Sequence, residues 1–338
     1  MTITTSEIHD RLTAVQDYLN SQLIGHQSLI KRLLVAVIAN GHILIEGAPG
    51  LAKTRAVNQF AKILDADFAR VQATPDLLPA DITGTNIFQQ QHGDFEFTPG
   101  PLFNNIILVD EINRAPPKVQ SALLEAMAER QITTAGITRV LQTPFMVIAT
   151  QNSLENEGTY PLPEAQLDRF MFYLNLDLPD AETEQQILSL VLAENKRNRE
   201  NDLASESQQT ESGAAIGNRP VITASEITAI KAQASNVHIA PAILTYITRL
   251  VCATREEGNQ EITQHIRYAA SPRGSIAIAE AAQANALLNQ RDHVLPDDVQ
   301  ELAADALGGR IGLSYRAQAE GLRGRDVINS LLQVVPLV

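Results

Sequence analysis

Cysteine occurs once in the sequence, at Cys252. No intrachain disulfide can form, and a thiolate metal site would be unusual. Cys252 sits in an apolar helical pattern and reads as a small core residue. Long apolar runs are missing as well. The longest, Leu33 to Ala39, is far too short to span a bilayer. The first residues carry Glu7 and Asp10 and no apolar stretch, so they do not read as a signal peptide, and the chain reads as cytoplasmic. Basic residues are outnumbered, with 26 Lys and Arg against 39 Asp and Glu, for a net charge of −13. That balance argues against a broad nucleic-acid-binding surface, which needs a basic face, though not against a local basic channel. The densest basic cluster, Lys196-Arg197-Asn198-Arg199, lies in a polar stretch. Hydrophobic residues make up 44% of 338 residues, enough for a sizeable core and for two domains.

The most informative feature present is Ile107-Leu108-Val109-Asp110-Glu111. A short apolar run reads as a strand buried on both faces, and this one ends in two acids. Open α/β sheets bind ligands at the carboxyl ends of their strands, so two acids there suggest a metal ion, a water to be activated, or both. A phosphate site lies upstream. His42–Glu46 is a candidate strand; Gly47-Ala48-Pro49-Gly50-Leu51-Ala52-Lys53-Thr54 follows; Val57, Phe60, Ala61 and Leu64 then form one helical stripe. Strand, glycine loop, Lys-Thr and helix make a phosphate-binding loop. Its backbone N–H groups and the helix N-terminus would cradle the β- and γ-phosphates, with Lys53 as a point charge and the Thr54 hydroxyl on Mg²⁺. Ala52 stands where the consensus loop has glycine, which costs only if that position needs positive φ or very close phosphate approach.

Residues 12–40 read as helical, broken near Ile24-Gly25-His26. Candidate strands are His42–Glu46, Phe68–Gln72, Ile106–Val109, Phe145–Thr150 and Met171–Leu176, with helical patterns between several of them. This alternation implies a parallel sheet between helices, a three-layer α-β-α fold spanning residues 1–194. Asn86–Gln89 and Asp94–Thr98 flank a turn-like Gln90-Gln91-His92-Gly93 and make a candidate hairpin, whose Phe95 and Phe97 either pack on the body or meet a client. Residues 195–219 carry few apolar side chains and read as a linker. From 220 to 338 every strong pattern is helical, with starts at Thr223, Pro241 and Pro296-Asp297-Asp298, which describes a small all-helical domain.

In the acid pair, Asp110 is the candidate for organising Mg²⁺, partly through water, and Glu111 the base that polarises the attacking water. Asn152 follows the next strand and shares its rim, so it can reach a γ-phosphate or that water, although turns also favour asparagine. Arg169 is a fixed cation near the domain edge. Arginine suits transition-state charge in phosphoryl transfer, often from a neighbouring subunit; an ion pair with Asp168 or Glu164 is the alternative. Arg273 follows Pro272 at a helix start on the second domain and is placed to carry the phosphate state into lid movement.

The chain resembles MoxR-type ATPases of the AAA+ class over residues 12–335, apart from 195–219. The most selective runs are Asp110-Glu111-Ile112-Asn113-Arg114-Ala115-Pro116-Pro117-Lys118-Val119-Gln120 through Met127, and Ala149-Thr150-Gln151-Asn152 with Glu157 through Phe170. The resemblance implies a P-loop AAA+ domain with a C-terminal helical lid. Gly47–Thr54 would be Walker A, Asp110 and Glu111 Walker B, Asn152 sensor 1, Arg169 an arginine finger acting in trans, Arg273 sensor 2, and Ile24-Gly25 the adenine side. The 86–98 hairpin would be the helix-2 insert. It also implies ATP/ADP and Mg²⁺ as cofactors, hexameric rings, and chaperone-like remodelling or maturation of client proteins, often with a von Willebrand factor A domain. Two features fit less well. The 195–219 segment is long and polar, and Gly308-Gly309-Arg310 stands where a histidine before the arginine is expected. A nucleic-acid motor and a nucleotide-gated scaffold with negligible turnover are the competing readings. The acidic balance disfavours the first, and intact Glu111 and Asn152 disfavour the second.

Overall fold

The computed structural model describes residues 5–47, 53–90, 93–152, 158–192, 220–255 and 259–337. The chain opens with two helices, α1 (Thr5–Gln22) and α2 (Gln27–Ile38), separated at the predicted break. The core then runs β1 (Ile43–Gly47), α3 (Lys53–Ile63), β2 (Phe68–Gln72), α4 (Pro79–Thr83), β3 (Gly84–Gln89), β4 (Asp94–Pro99), β5 (Ile106–Asp110), α5 (Pro117–Glu129), β6 (Gln131–Thr134), β7 (Ile137–Val140), β8 (Met146–Gln151), α6 (Glu164–Leu167) and β9 (Phe172–Leu176), followed by α7 over 181–192. Five strands form one parallel sheet in the order β2-β5-β8-β1-β9. These are the five predicted strands, each within one residue at its ends.

The sheet is covered on both faces, and successive side chains feed opposite cores. Ile43, Ile45, Ile106, Leu108, Met146 and Ile148 enter one core, while Leu44, Ile107, Val109, Val147 and Ala149 enter the other. That is why these strands read as unbroken apolar runs rather than as alternation. Off the sheet stand two hairpins, β3–β4, as predicted, and β6–β7, which the sequence did not suggest. The turn of the first includes Gln91 and His92, which lie outside the described residues, as does 195–219.

The C-terminal region contains α8 (Ala224–Ser235), α9 (Pro241–Cys252), α10 (Gln260–Thr263), β10 (Ile266–Tyr268), α11 (Pro272–Leu288), α12 (Pro296–Leu307), β11 (Gly312–Leu313), α13 (Tyr315–Ala319) and α14 (Gly324–Val334). It is helical, with one short antiparallel β10–β11 ladder added. The predicted starts hold for physical reasons. Thr223 caps α8 by accepting from Glu226 N, and the Glu226 carboxylate accepts in return from Thr223 N; Pro241 and Pro296 each open a first turn, where no N–H is needed. Cys252 ends α9 half-buried rather than deep in the core. Among the described residues no helix is long and apolar enough to cross a membrane.

Candidate active site

Strand register builds the rim. Ile45 is level with Thr150 and Glu46 with Gln151, which puts Gly47 level with Asn152. Val109 is level with Ala149, which puts Asp110 beside Thr150. The start of the glycine loop, Asn152 and the acid pair therefore end side by side on three adjacent strands about 4.8 Å apart. Of the loop, Ala48, Pro49, Gly50, Leu51 and Ala52 lie outside the described residues. Lys53 opens α3 with Thr54, and its ammonium donates to the Gly47 carbonyl at 2.7 Å. Burial lowers the Lys53 pKa, and the carboxylates of Asp110, Glu111 and Glu46 oppose that shift. The lysine thus feels all three acids of this rim.

Asp110 is buried at 7% exposure and is held from two sides. Arg70 Nε on β2 donates to Oδ2 at 2.7 Å, and Thr150 Oγ1 donates to Oδ1 at 3.3 Å. Thr150 Oγ1 in turn accepts from Glu111 N at 3.0 Å. Glu111 adopts a left-handed conformation, φ 56° and ψ 49°, which costs a non-glycine residue about 1–2 kcal/mol. The strained turn lifts its side chain off the strand, where Arg114 Nε lies 3.1 Å from Oε2. The run after the acids is also explained. Gln120, fully buried on α5, donates to Ile112 O and Tyr160 O, and Tyr160 N donates to Asn113 O. Asn152 is buried just past β8.

Sequence reasoning missed Arg70, Thr150 and a second cluster around Glu46. There Tyr173 Oη donates to Glu46 Oε2 at 2.6 Å, Asn175 Nδ2 donates to the same oxygen at 3.1 Å, and Gln151 Nε2 donates to Tyr173 Oη at 3.0 Å. Burial first, then the Glu46 charge, pushes the Tyr173 pKa up. The available signal was an arginine inside a β2 pattern and an acid at the end of β1, but only register says which strands they face. Ile24 and Gly25 form the α1–α2 turn. Gly25 has φ +79°, and a Cβ there would sit 2.5 Å from Thr183 Cγ2 on α7, so this turn is pressed against the helix that follows the sheet.

Arg169 and Arg273 lie elsewhere. Arg169 Nη1 donates to Leu124 O at 2.8 Å rather than pairing with Asp168 or Glu164. Asp168 instead accepts from Ser271 Oγ and from the buried Arg310 Nε at 3.1 Å, with Arg273 Nη1 3.8 Å away. Arg169 and Arg273 share a cavity of about 430 Å³ with Gly41, His42 and Met171. Those residues precede β1 and β9, so this is the opposite end of the sheet from Lys53. The glycine before Arg310 has a steric cause, since a Cβ on Gly309 would lie 2.6 Å from the Tyr173 ring. No histidine fits there.

The profile of the ATPase family associated with various cellular activities (AAA) matches residues 42–172, and that of the AAA lid domain matches 259–331. Chaperone MoxR1 of Mycobacterium tuberculosis is 40% identical, covering 93% of this chain and 79% of its own length, and Protein MoxR of Paracoccus denitrificans is 31% identical over 94% of each. The chain belongs to the MoxR family of AAA+ ATPases. A solved structure from Cytophaga hutchinsonii, provisionally named an ATPase, is 40% identical, with a TM-score of 0.84 over 99% of this chain and 97% of that one. The MoxR-family fold, an AAA domain with a parallel five-stranded sheet and a helical lid, is thus established, and with it nucleotide binding and ATP hydrolysis.

Proposed function

We propose that this MoxR-family chain couples Mg²⁺-dependent ATP hydrolysis to chaperone-like remodelling or maturation of partner proteins, working as a hexameric ring in the cytoplasm. The observation that carries the ring is the division of the site between two ends of the sheet. Lys53, Asp110 and Asn152 stand at the carboxyl end, and Arg169 and Arg273 at the amino end. β1 spans five residues, about 16 Å at a rise of about 3.3 Å each. Neither arginine reaches the phosphates of its own subunit, so both serve a neighbour's nucleotide. Arg273, expected from the sequence to carry the phosphate state into lid movement, then acts as a second trans cation beside Arg169.

In this reading Gly47–Thr54 cradles the phosphates, Ile24 and Gly25 flank the adenine, and Lys53 neutralises phosphate charge. The donor chemistry suits magnesium, because the Thr54 hydroxyl and the Asp110 carboxylate are hard oxygens that leave further positions to water. Held there, magnesium would supply positive charge against the phosphates. Glu111 polarises the attacking water, and Asn152 orients it or the γ-phosphate. The name of the mycobacterial relative and the exposed β3–β4 hairpin support a client-directed role, with von Willebrand factor A proteins as the proposed client class.

The test mixes two inactive variants, Arg169→Ala and Glu111→Gln. Mixed rings contain interfaces with an intact acid on one side and an intact arginine on the other, so partial turnover should return. A mixture as inactive as its components would exclude trans action, and a monomer with full turnover would exclude the ring.

A further inference from the structure

Between α2, α5, α8 and α11 lies a cavity of about 320 Å³, which shares Asn40, Arg130 and Glu280 with the Arg169–Arg273 cavity but whose Lys231 the ATPase reading leaves unused. Two cations line it, both half-buried: Lys231 on α8 and Arg130 at the C-cap of α5. Lys231 Nζ donates to Asn40 Oδ1 at 2.8 Å. Arg130 donates to Asn40 O at 2.7 Å and to Phe145 O, and its guanidinium lies over the Phe145 ring. Every one of these acceptors is neutral. Among the described residues neither cation has an ion-pair partner. The carboxylate on the cavity wall, Glu280 of α11, makes none either, and its pKa is raised by burial. Burial first, then repulsion from Arg130, lowers the Lys231 pKa to about 8. The groups facing Lys231 are thus Arg130, Glu280 and the neutral, buried His42.

A protein of net charge −13 has carboxylates to spare, yet neither cation is ion-paired, although Glu280 lines the same cavity. Half-buried charges without a counter-ion are costly. Stapling Asn40 uses one of the three donors on Lys231. Ile38, Ala39 and Ala234 add apolar surface to the lining. We propose that this cavity is a binding site for a phosphate group, held by Lys231 and Arg130, with room for a small organic moiety against the apolar part of the lining. The phosphate has two possible sources, orthophosphate released by hydrolysis or a phosphate ester from outside.

Lys231 itself can report occupancy. The protein, saturated with ADP to fill the glycine loop, is treated at about pH 8 with an amine-acylating reagent, and labelling of Lys231 is read by peptide mass spectrometry. Orthophosphate or glycerol phosphate replaces chloride at constant ionic strength. A bound anion that lifts the lysine by about one pKa unit cuts its neutral fraction, and its labelling rate, about fivefold, while exposed Lys118 stays unchanged. Stronger protection by orthophosphate identifies the hydrolysis product, and stronger protection by the ester identifies an outside ligand. In parallel, phosphate affinity measured by calorimetry should fall about tenfold or more in Lys231→Met and persist in Lys231→Arg. Labelling that ignores phosphate, or equal affinity in Lys231→Met and the parent, overturns the site.

Discussion

His42 carries a stability prediction on a single ring. Its Nδ1 accepts from Val147 N at 3.0 Å, so the proton resides on Nε2, which points at Met127 O. Protonating Nδ1 would break a buried bond. Burial first, then Arg130, lowers its pKa from 6.5 to about 3. Between those values the unfolded chain holds more protons than the folded one. The His42 contribution to stability is therefore complete above about pH 6.5 and is lost, at about 1.4 kcal/mol per pH unit, as pH falls toward 3. Urea melts at about pH 7 and about pH 5 should differ more in the parent than in His42→Gln, whose slope should be flatter. At the rim, Lys53→Ala should abolish turnover, read by phosphate release, and Glu111→Gln should trap ATP, read by the ATP retained on the protein after gel filtration. Those two residues were legible because the phosphate loop and the acidic strand end are contiguous in sequence. Arg70 was not, because its contact with Asp110 crosses 40 residues and depends on register.

The hairpins carry the prediction that belongs to single elements. Phe97 packs on Phe103 at 5.5 Å and lies under Arg139 of β7 at 3.7 Å, so the two hairpins are joined. Phe95 is 71% exposed and meets Phe88 at the outer surface. Of the two options for these aromatics, Phe97 packs on the body and Phe95 does not. Phe95→Ala should shift stability by less than about 0.5 kcal/mol, leave basal turnover intact, and remove client-stimulated turnover; unchanged stimulation would exclude client contact through this tip. Arg139→Ala should cost about 0.5–1 kcal/mol, the usual value of an exposed cation–π contact, by thermal melting. β3–β4 was legible from its alternating second arm. β6–β7 was not, since Gln131 to Val140 has only three large apolar side chains and turns at Ala135-Gly136, both at positive φ, without the usual Asn-Gly signal.

At the scale of the whole molecule, lid and ATPase domain share one hydrophobic core. It runs from Ile8 and Leu34 through Ile45 and Phe172 to Ile278, Leu302 and Leu331. Polar contacts follow the same seam. Arg32 on α2 is buried, pairs with Asp305 at 2.7 Å and Glu301 at 3.0 Å on α12, and lies near the Phe172 ring. Arg32→Ala would strand the buried Asp305 and should cost about 3–5 kcal/mol. Calorimetry should show a single unfolding transition that moves down as one; two separated transitions would contradict a shared core. A change of texture near residue 195 was visible in the sequence and suggested two domains. The contact of α2 with α12 joins residues more than two hundred and sixty positions apart, and no local pattern encodes it.

The shared core also bears on how such proteins can be recombined. A lid that owns its own core can be exchanged between relatives by cutting at the linker. Here the seam passes through α1, α2 and β9, which lie before the 195–219 stretch in the chain. A graft of residues 220–338 alone would expose apolar surface on both halves. A transplantable unit must carry at least the first forty residues with the last hundred and twenty, two pieces fitted to each other, and its new host must match them at β9.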